Sequence, residues 1–161
     1  MWMSVKNVAM VTFRAAERTD AEGMAQVQNA IYRAGLRADP VDEQAILKRY
    51  LGIEHTVACT VAVKGGRILG FQSLKRAWHG NPYGAPEGWG IIGTHIDPSA
   101  GRTGIGRRLF DISLAAAKAA DLHHIDATIG ADNDAALAYY SAMGFVPYKQ
   151  GNGAIPHRLD L

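Results

Sequence analysis

One segment, residues 91–110, constrains the fold more than any other part of this sequence. It reads Ile-Ile-Gly-Thr-His-Ile-Asp-Pro-Ser-Ala-Gly-Arg-Thr-Gly-Ile-Gly-Arg-Arg-Leu-Phe, which is typical of an apolar strand, a glycine-rich turn and the first turns of an amphipathic helix. Such a turn directs several backbone N–H groups to one point at the positive end of the helix dipole. The segment therefore predicts an α/β fold with a phosphate site at the start of this helix.

The glycine spacing in the turn excludes two common nucleotide-binding patterns. Gly101, Gly104 and Gly106 give G-x-x-G-x-G, whereas a dinucleotide fingerprint needs G-x-G-x-x-G. A P-loop needs Gly-Lys-Ser/Thr, but Gly106 is followed by Arg107 and Arg108. Glycine lets the main chain approach an anion, and arginine adds charge-assisted hydrogen bonds to phosphate. The alternative is that these glycines only make a tight connection between strand and helix.

Length and composition narrow the class of protein. A chain of 161 residues suits a single domain, residues 1–161, and its 48% hydrophobic and 20% charged residues are those of an ordinary globular protein. A net charge of +2 without a long basic run argues against nucleic acid as a partner. The apolar runs are too short for a membrane span, and the N-terminal residues lack the pattern of a secretion signal. We therefore expect a cytoplasmic protein with no membrane partner.

Hydrophobic periodicity and turn residues predict the element order β-α-α-β-β-β-α-β-α-β-β. The predicted strands cover residues 8–14, 56–63, 68–74, 89–96, 125–129, 146–149 and 154–159. The predicted helices cover residues 20–34, a segment that starts at residues 39–43, and residues 103–120 and 133–143. A capping box of Thr19 and Glu22 is expected to start the first helix, and Asp39 to cap the second. This order predicts an α/β fold, with a central mixed sheet and helices on both faces.

A second segment, residues 133–145, carries an independent pattern. It reads Asn-Asp-Ala-Ala-Leu-Ala-Tyr-Tyr-Ser-Ala-Met-Gly-Phe and is predicted to be a short helix that Gly144 ends. Asn133 suits the position of a helix cap. For Tyr140 the ordinary alternative is an aromatic residue of the core.

The two segments resemble motifs A and B of the GNAT superfamily, the Gcn5-related N-acetyltransferases. Motif A reads Gln/Arg-x-x-Gly-x-Gly/Ala, with a Pro six residues before its first Gly. Pro98, Gly104 and Gly106 fit this pattern, whereas Gly101 stands where Gln or Arg is usual. Because main-chain donors survive that change, phosphate binding is still expected, and Arg102 is a candidate to supply the missing side chain.

Motif B of the family has an Asn, an Ala three residues later, a Tyr seven residues later, and then Gly-Phe. Asn133, Ala136, Tyr140 and the pair Gly144-Phe145 match it. The resemblance covers about residues 11–149 and implies the GNAT fold, with a mostly antiparallel sheet of about seven strands.

The resemblance implies acetyl-CoA as the acyl donor. No metal is expected, because Cys59 is the single cysteine and the histidines lack a metal-binding spacing such as H-E-x-x-H. It implies that the Thr94 N–H polarises the acetyl carbonyl, and that Tyr140 protonates the departing thiolate as a general acid after direct attack by an amine. The donor-binding residues that it implies are Thr94, His95, Ile96, Gly101, Arg102, Thr103, Gly104, Ile105, Gly106, Arg107, Asn133, Ala136 and Tyr140.

The general base is the part of the mechanism that the resemblance does not supply. Some family members carry a Glu four residues before the carbonyl-binding position, which is Gly90 in this chain. His95 and Glu87 are the nearest titratable residues, but His95 alternates to the face of the strand opposite Thr94. We therefore expect a water relay to take the proton from the amine.

The acceptor is expected to contact the helix connection at residues 32–40 and the loop at residues 78–89. The candidates are Tyr32, Trp78, Tyr83 and Glu87, because aromatic loop residues often shape small-molecule pockets. Gln72 and Ser73 of the third strand are further candidates. Packing at the surface is the alternative role for each residue.

Three hypotheses follow for function. The preferred one is transfer of an acetyl group to a primary amine of a small molecule, such as an amino acid or an amino-acid-like compound. The second is acetylation of a protein N-terminus or lysine, and the third is a non-catalytic acyl-CoA-binding regulatory module. A homodimer is expected only from the resemblance.

Overall fold

The computed structural model describes residues 10–52, 54–101 and 103–161, and these form seven strands and four helices. The strands are β1 Thr12–Ala15, β2 Thr56–Lys64, β3 Arg67–Arg76, β4 Gly90–Ile96, β5 His124–Gly130, β6 Val146–Pro147 and β7 Ala154–Asp160. The helices are α1 Ala21–Arg33, α2 Glu43–Tyr50, α3 Ile105–Ala119 and α4 Asp134–Ala142. The predicted order of elements is confirmed, although residues 8 and 9 of the predicted first strand lie outside the described residues.

The strands form one sheet in the order β1-β2-β3-β4-β5-β7-β6. The pairs β1–β2, β5–β7 and β6–β7 are antiparallel. Strands β4 and β5 are parallel, with Gly90 opposite Ile125 and Ile91 opposite Asp126 at the start of each strand. The prediction of a mixed and mostly antiparallel sheet is confirmed.

By their internal contacts, the described residues divide into two compact units. The first contains residues 10–52, 59–72 and 94–113, and the second contains residues 54–58, 73–93 and 114–161. The first unit thus holds the glycine-rich turn, and the second holds the Asn133–Phe145 motif.

In the first unit, helices cover both faces of β2. Val61 and Ala62 are neighbours on this strand and therefore point to opposite faces. Val61 belongs to a core cluster with residues of α1 and α2, among them Met24, Val27 and Ile46. Ala62 belongs to a separate cluster with Ile105 and Leu109 of α3. The predicted arrangement of helices on both faces is confirmed in this unit.

In the second unit, β5 lies between two strands and is largely buried. Ile125, Ala127 and Ile129 are buried, as the alternating pattern predicts. Asp126 is fully buried as well, although the same alternation places it on the exposed face. The prediction of a half-buried strand is therefore wrong at Asp126, because side chains from outside β5 cover this face.

The start of α1 differs from the predicted capping box. Residues Arg18–Asp20 form a 3-10 turn before the helix. The Asp20 carboxylate accepts hydrogen bonds from Glu17 N at 2.7 Å and from Arg14 Nη1 at 2.7 Å. The hydrogen bond from Arg14 is the main reason that the pKa of Asp20 lies below its ordinary value. The entry to α1 is therefore fixed by Asp20 and not by a Thr19–Glu22 pair.

The second helix also begins later than predicted. Asp42 Oδ1 accepts a hydrogen bond from Ala45 N at 2.9 Å, and α2 then starts at Glu43. Asp42 is thus the cap in place of Asp39, because an Asp side chain bonds the N–H three residues after it.

Candidate active site

The loop after β4 is fixed by the carboxylate of Asp97. Asp97 Oδ1 accepts hydrogen bonds from Ser99 N at 2.9 Å and Ser99 Oγ at 2.8 Å, and Asp97 Oδ2 accepts one from Arg67 Nη2 at 2.8 Å. Burial raises the pKa of Asp97, but the hydrogen bonds from Ser99 and Arg67 outweigh burial and hold that pKa below its ordinary value. A charged Asp97 therefore holds the 3-10 turn Pro98–Ala100 in place before α3.

The glycine-rich turn leaves the main chain accessible at the start of α3. Gly104 has a φ of +82°, and no described atom lies within 4 Å of the position that a Cβ would occupy. Arg108 N donates to Gly104 O at 3.2 Å, so the hydrogen bonding of α3 begins at Gly104. Thr103 Oγ1 donates to Ala100 O at 2.6 Å and fixes the approach. A helix start with this open space above Gly104 suits a phosphate group.

The remaining predicted residues of this segment are placed as follows. Ile96 packs against the core cluster that contains Ile105, and both lie beneath the turn. Gly101 and Thr103 are exposed, and Arg107 is exposed with Nε 3.7 Å from Asp111 Oδ1. Arg102 lies outside the described residues.

On β4, Thr94 and His95 contact different groups because they point to opposite faces. Gln72 Nε2 donates to Thr94 Oγ1 at 2.8 Å. The His95 ring lies 4.7 Å from the Phe71 ring and 5.7 Å from the Tyr50 ring, measured between centroids. Burial, with a smaller contribution from the Arg37 charge, lowers the pKa of His95 to about 3. The predicted alternation is confirmed, and His95 is a neutral residue with little basicity.

Gln28 and Tyr50 complete a polar cluster around His95. Gln28 Nε2 donates to Tyr50 Oη at 3.1 Å, and Nδ1 and Nε2 of His95 lie 3.4 Å from Gln28 Nε2 and Tyr50 Oη, respectively. Gln28 is fully buried, and its Oε1 has no hydrogen-bond partner among the described residues. Sequence reasoning missed Gln28, although a Gln four residues after the buried Met24 was the available signal.

Gly90 stands at the position where some family members carry a Glu, and its surroundings are tightly packed. A Cβ there would lie 3.1 Å from Leu122 Cδ1, 3.1 Å from Leu74 Cδ1 and 3.2 Å from Ile125 Cγ1. A side chain at this position would require these neighbours to shift by a few tenths of an ångström. The general base must therefore come from elsewhere in the chain or from water.

The second unit contains the residues of the second motif. Asn133 Oδ1 accepts a hydrogen bond from Ala136 N at 3.1 Å, which confirms the predicted helix cap. Tyr140 is buried, and its ring centroid lies 5.2 Å from that of Phe145 and 4.9 Å from that of Tyr139. The motif therefore gives α4 a fixed start and a fixed aromatic residue.

The four predicted acceptor-binding residues lie in different surroundings. Tyr32, at the end of α1 in the first unit, is 39% exposed. Tyr83 and Glu87 are exposed in the loop before β4, in the second unit. Trp78 of that loop is half-buried, and its ring stacks on His55 at 4.5 Å. Trp78 thus has a packing contact, whereas Tyr32, Tyr83 and Glu87 remain at the surface.

A polar cluster that sequence reasoning missed lies on β5. Asp126 Oδ2 accepts a hydrogen bond from Tyr148 Oη at 2.5 Å, and Asp126 Oδ1 accepts one from Thr128 Oγ1 at 3.0 Å. Burial raises the pKa of Asp126, and burial together with the Asp126 carboxylate raises the pKa of Tyr148. An acidic residue within a strand of apolar residues was its only signal in the sequence.

Two further searches were negative for the described part of the chain. There, no group of three or more His, Cys, Asp and Glu side chains is arranged to hold a metal ion. No helix in that part is both long enough and apolar enough to cross a membrane.

Comparison with known families identifies the kind of protein that carries this loop and this sheet. The model of the acetyltransferase (GNAT) family matches residues 21–145, which include both motifs. The chain belongs to the GNAT acetyltransferase family. This membership supports acetyltransferase activity, and it confirms the resemblance inferred from Gly104, Gly106 and the Asn133–Phe145 segment. A sequence search of curated proteins gave no significant match.

Solved structures of GNAT proteins share the fold. The yncA protein of Salmonella typhimurium, assigned as an acetyltransferase and solved with its cofactor acetyl-CoA, has a TM-score of 0.74 and 19% identity, with 93% of each chain covered. A protein assigned as a phosphinothricin N-acetyltransferase has a TM-score of 0.73 and 20% identity, with 94% of this chain and 99% of that chain covered. Ribosomal-protein-alanine N-acetyltransferase from Brucella melitensis has a TM-score of 0.71 and 20% identity, with 93% and 99% covered.

Proposed function

We propose that this GNAT protein transfers the acetyl group of acetyl-CoA to the primary amine of a small molecule that also bears a carboxylate, as an amino acid does. The observation that carries the proposal is the turn at Gly104. Its left-handed backbone and the open space above it leave main-chain N–H groups accessible at the start of a 15-residue helix. An anionic carrier of the acetyl group fits such a site.

The donor would be held mainly by the main chain. The N–H groups of residues 103–107, with Arg102 and Arg107, are the proposed ligands of the pyrophosphate, and residues 94–96 of β4 would pair with the pantetheine. Asn133 and Ala136 are proposed to support donor binding by fixing the start of α4. When bound, acetyl-CoA supplies the activated thioester carbonyl.

Two residues are proposed to act on the reacting atoms. The Thr94 N–H would stabilise the negative charge that develops on the carbonyl oxygen. The hydrogen bond from Gln72 to the Thr94 side chain supports this role, because it limits movement of β4 at this residue. Tyr140 would donate its phenol proton to the CoA sulfur, and its buried, packed ring supports a fixed position for that proton.

The electrostatics of the first unit favour an acceptor with a carboxylate. Arg37 is close enough to His95 for its charge to contribute to the lowered pKa of that residue. The side chains of Gln28, Tyr50 and His95 include no carboxylate that would pair with Arg37. A guanidinium beside a neutral polar cluster suits a carboxylate. Tyr32, Trp78, Tyr83 and Glu87 remain candidates for contacts with the rest of the acceptor.

Release of the CoA thiol against a panel of amines tests this proposal. The panel contains L-methionine, L-lysine, the amide of each, and a short peptide with an N-terminal alanine. We expect amine-dependent release, with a lower KM for each amino acid than for its amide. Faster release with the peptide would favour a protein acceptor. Tight CoA binding without amine-dependent release would refute an enzyme and indicate a binding module.

A further inference from the structure

The buried carboxylate of Asp126 is held by two hydroxyl groups and not by a cation. Each of its oxygens accepts one of these hydrogen bonds, from Tyr148 at 2.5 Å and from Thr128 at 3.0 Å. Asp126 is fully buried, whereas Thr128 is exposed and Tyr148 is half-buried. A ligand that approaches the cluster would therefore meet Thr128 or Tyr148 before the carboxylate.

The Asp126 carboxylate determines whether the Tyr148 and Thr128 hydroxyl groups can donate or accept hydrogen bonds with a ligand. A hydroxyl group has one proton and two lone pairs. Because Tyr148 and Thr128 each donate their proton to Asp126, both oxygens present lone pairs to anything that approaches them. The cluster is thus an acceptor of hydrogen bonds with a buried negative charge behind it. This chemistry suits a protonated amine.

The surroundings of the cluster reinforce this selectivity. The Trp89 ring lies 5.3 Å from the Tyr148 ring, measured between centroids, so the cluster has an aromatic neighbour. Aromatic faces attract cations. Asp126 also stands opposite Ile91 in the parallel β4–β5 register, and Ile92 and Gly93 continue β4 beyond that pair. The cluster therefore lies on the strand that pairs with the start of β4.

Other charged or titratable groups face this cluster from each neighbouring element. Burial raises the pKa of Asp126, and the charges of Lys149 and His157 only partly oppose that rise; the Arg158 charge likewise opposes the rise in the pKa of Tyr148. His124 of β5 packs against Trp89 and pairs with Asp160 of β7 at 2.7 Å. Lys149 Nζ donates to Gly84 O at 2.7 Å. Within the described residues, no Lys, Arg or His forms an ion pair with the Asp126 carboxylate.

We propose that Tyr148 and Thr128 bind the acceptor amine and that Asp126 is the general base, which receives the amine proton through the Tyr148 hydroxyl. This inference rests on the proposed function and names the base that Gly90 and His95 do not provide. It replaces the expected water relay with a relay through a side chain.

The proton transfers balance. The ammonium group gives one proton to Tyr148 Oη as the phenol proton of Tyr148 moves to Asp126 Oδ2. The nitrogen lone pair then forms the N–C bond, and the C–S bond breaks with its electron pair on sulfur, which Tyr140 protonates. The nitrogen loses a second proton, which restores Tyr140. The proton on Asp126 passes to solvent, so the net release is one proton for each acetyl transfer.

The test compares Asp126→Asn with Asp160→Asn, a control that removes a carboxylate from the same sheet. The amine is the one that gives the fastest thiol release with the wild-type protein. General acid–base catalysis contributes about 100-fold to 10,000-fold, so kcat/KM for Asp126→Asn should fall at least about 100-fold. In the wild type, kcat/KM should rise with pH as Asp126 loses its proton, at a pH above the ordinary carboxyl range. That acidic limb should be absent from Asp126→Asn and retained in Asp160→Asn.

Binding measurements separate a chemical role from a structural one. By calorimetry, CoA should bind Asp126→Asn with unchanged affinity, whereas the amine should bind the enzyme–CoA complex about 10-fold more weakly, as expected for loss of a charged partner. If Asp126→Asn does not fold, Tyr148→Phe serves in its place, with the same expected losses.

The outcomes distinguish this inference from the proposed function. An active wild type whose kcat/KM and acidic limb survive in Asp126→Asn and in Tyr148→Phe overturns the inference alone. Parallel loss of thermal stability and CoA affinity with an unchanged acidic limb also overturns it, in favour of a structural role. A wild type that releases no thiol with any amine overturns the proposed function, and this inference with it.

Discussion

The turn at residues 97–107 and the Asp126 cluster are two polar regions that are built in opposite ways. The turn offers main-chain groups of consecutive residues, and its side chains, such as Asp97 and Ser99, serve to hold the loop. The cluster offers side chains, and its residues Asp126 and Tyr148 are 22 positions apart in the chain. A main-chain site depends on backbone conformation, whereas a side-chain site depends on which strands lie side by side.

This contrast predicts different sensitivity to substitution. Side-chain changes should affect chemistry at the cluster and at Tyr140 while leaving the affinity for CoA intact. At the turn, a substitution that restricts the backbone should mainly weaken the binding of CoA.

The largest expected effect is that of Tyr140→Phe. Removal of the proposed acid should lower kcat by about 100-fold to 1,000-fold, because a general acid contributes this much to a thiolate leaving group. The Kd for CoA should change less than about 2-fold, since the ring remains packed against Phe145. Steady-state kinetics and calorimetry give both values. Tyr139→Phe is the control, and equal losses of kcat and affinity in Tyr140→Phe would show that Tyr140 is a packing residue.

The second-largest expected effect is that of Gly104→Ala, which tests whether the turn binds CoA through its backbone. Gly104→Ala places a methyl group in the space above the main chain, so the Kd for CoA should rise at least about 10-fold, the equivalent of one or more lost charge-assisted hydrogen bonds. The substitution also costs about 1 kcal/mol of stability, because Gly104 has a positive φ.

The matched control is Gly66→Ala in the β2–β3 turn. Gly66 has a φ of +77° and an equally open Cβ position, so it carries the same backbone penalty away from the proposed site. Urea unfolding should show similar losses of stability for the two variants, and calorimetry should show weaker CoA binding for Gly104→Ala alone. Equal affinities would contradict the placement of the pyrophosphate.

The smallest expected effect is that of His95→Phe on the pH dependence of stability. It tests whether the pKa of His95 is too low for His95 to be the general base. Because the pKa of His95 is lowered to about 3, the unfolded chain binds a proton at a higher pH than the folded chain. The stability contribution of neutral His95 is therefore full above pH 6.5 and is lost as pH falls towards 3. From pH 7 to pH 5, the free energy of unfolding of the wild type should fall by about 1 to 2 kcal/mol more than that of His95→Phe.

Urea unfolding at the two pH values measures this difference. His79→Gln, which removes an exposed histidine, is the control and should keep the dependence of the wild type. The same slope in His95→Phe and in the wild type would mean that His95 titrates normally, and His95 would then return as a candidate base.

Much of the fold and of the turn could be predicted from the sequence, because their determinants are local. Periodicity predicted the element order, and the spacing of Pro98, Gly104 and Gly106 indicated the family whose model matches residues 21–145. The roles of Asp20 and Asp42 at the helix starts were not predicted, because Thr19 and Asp39 are competing candidates nearby. Arg14 favours Asp20 through a contact from β1.

The Asp126 cluster and the Gln28 cluster could not be predicted in the same way. Alternation along β5 places Asp126 at the surface, and only the β5–β7 register with the neighbouring Tyr148 reveals that this face is covered. Gln28 likewise becomes significant only when α1, α2 and β4 bring it together with Tyr50 and His95. Contacts between distant segments carry this information, and no local pattern encodes it.

Backbone amide NMR with two ligands tests the central claim most directly, namely that main-chain groups at the turn bind the pyrophosphate of the donor. Coenzyme A and pantetheine, which lacks the pyrophosphate, are titrated separately into the wild-type protein. The account predicts that coenzyme A shifts the amide resonances of Thr94 and of residues 103–107, and that pantetheine shifts Thr94 but not residues 103–107. Unchanged resonances of residues 103–107 at saturating coenzyme A would contradict it.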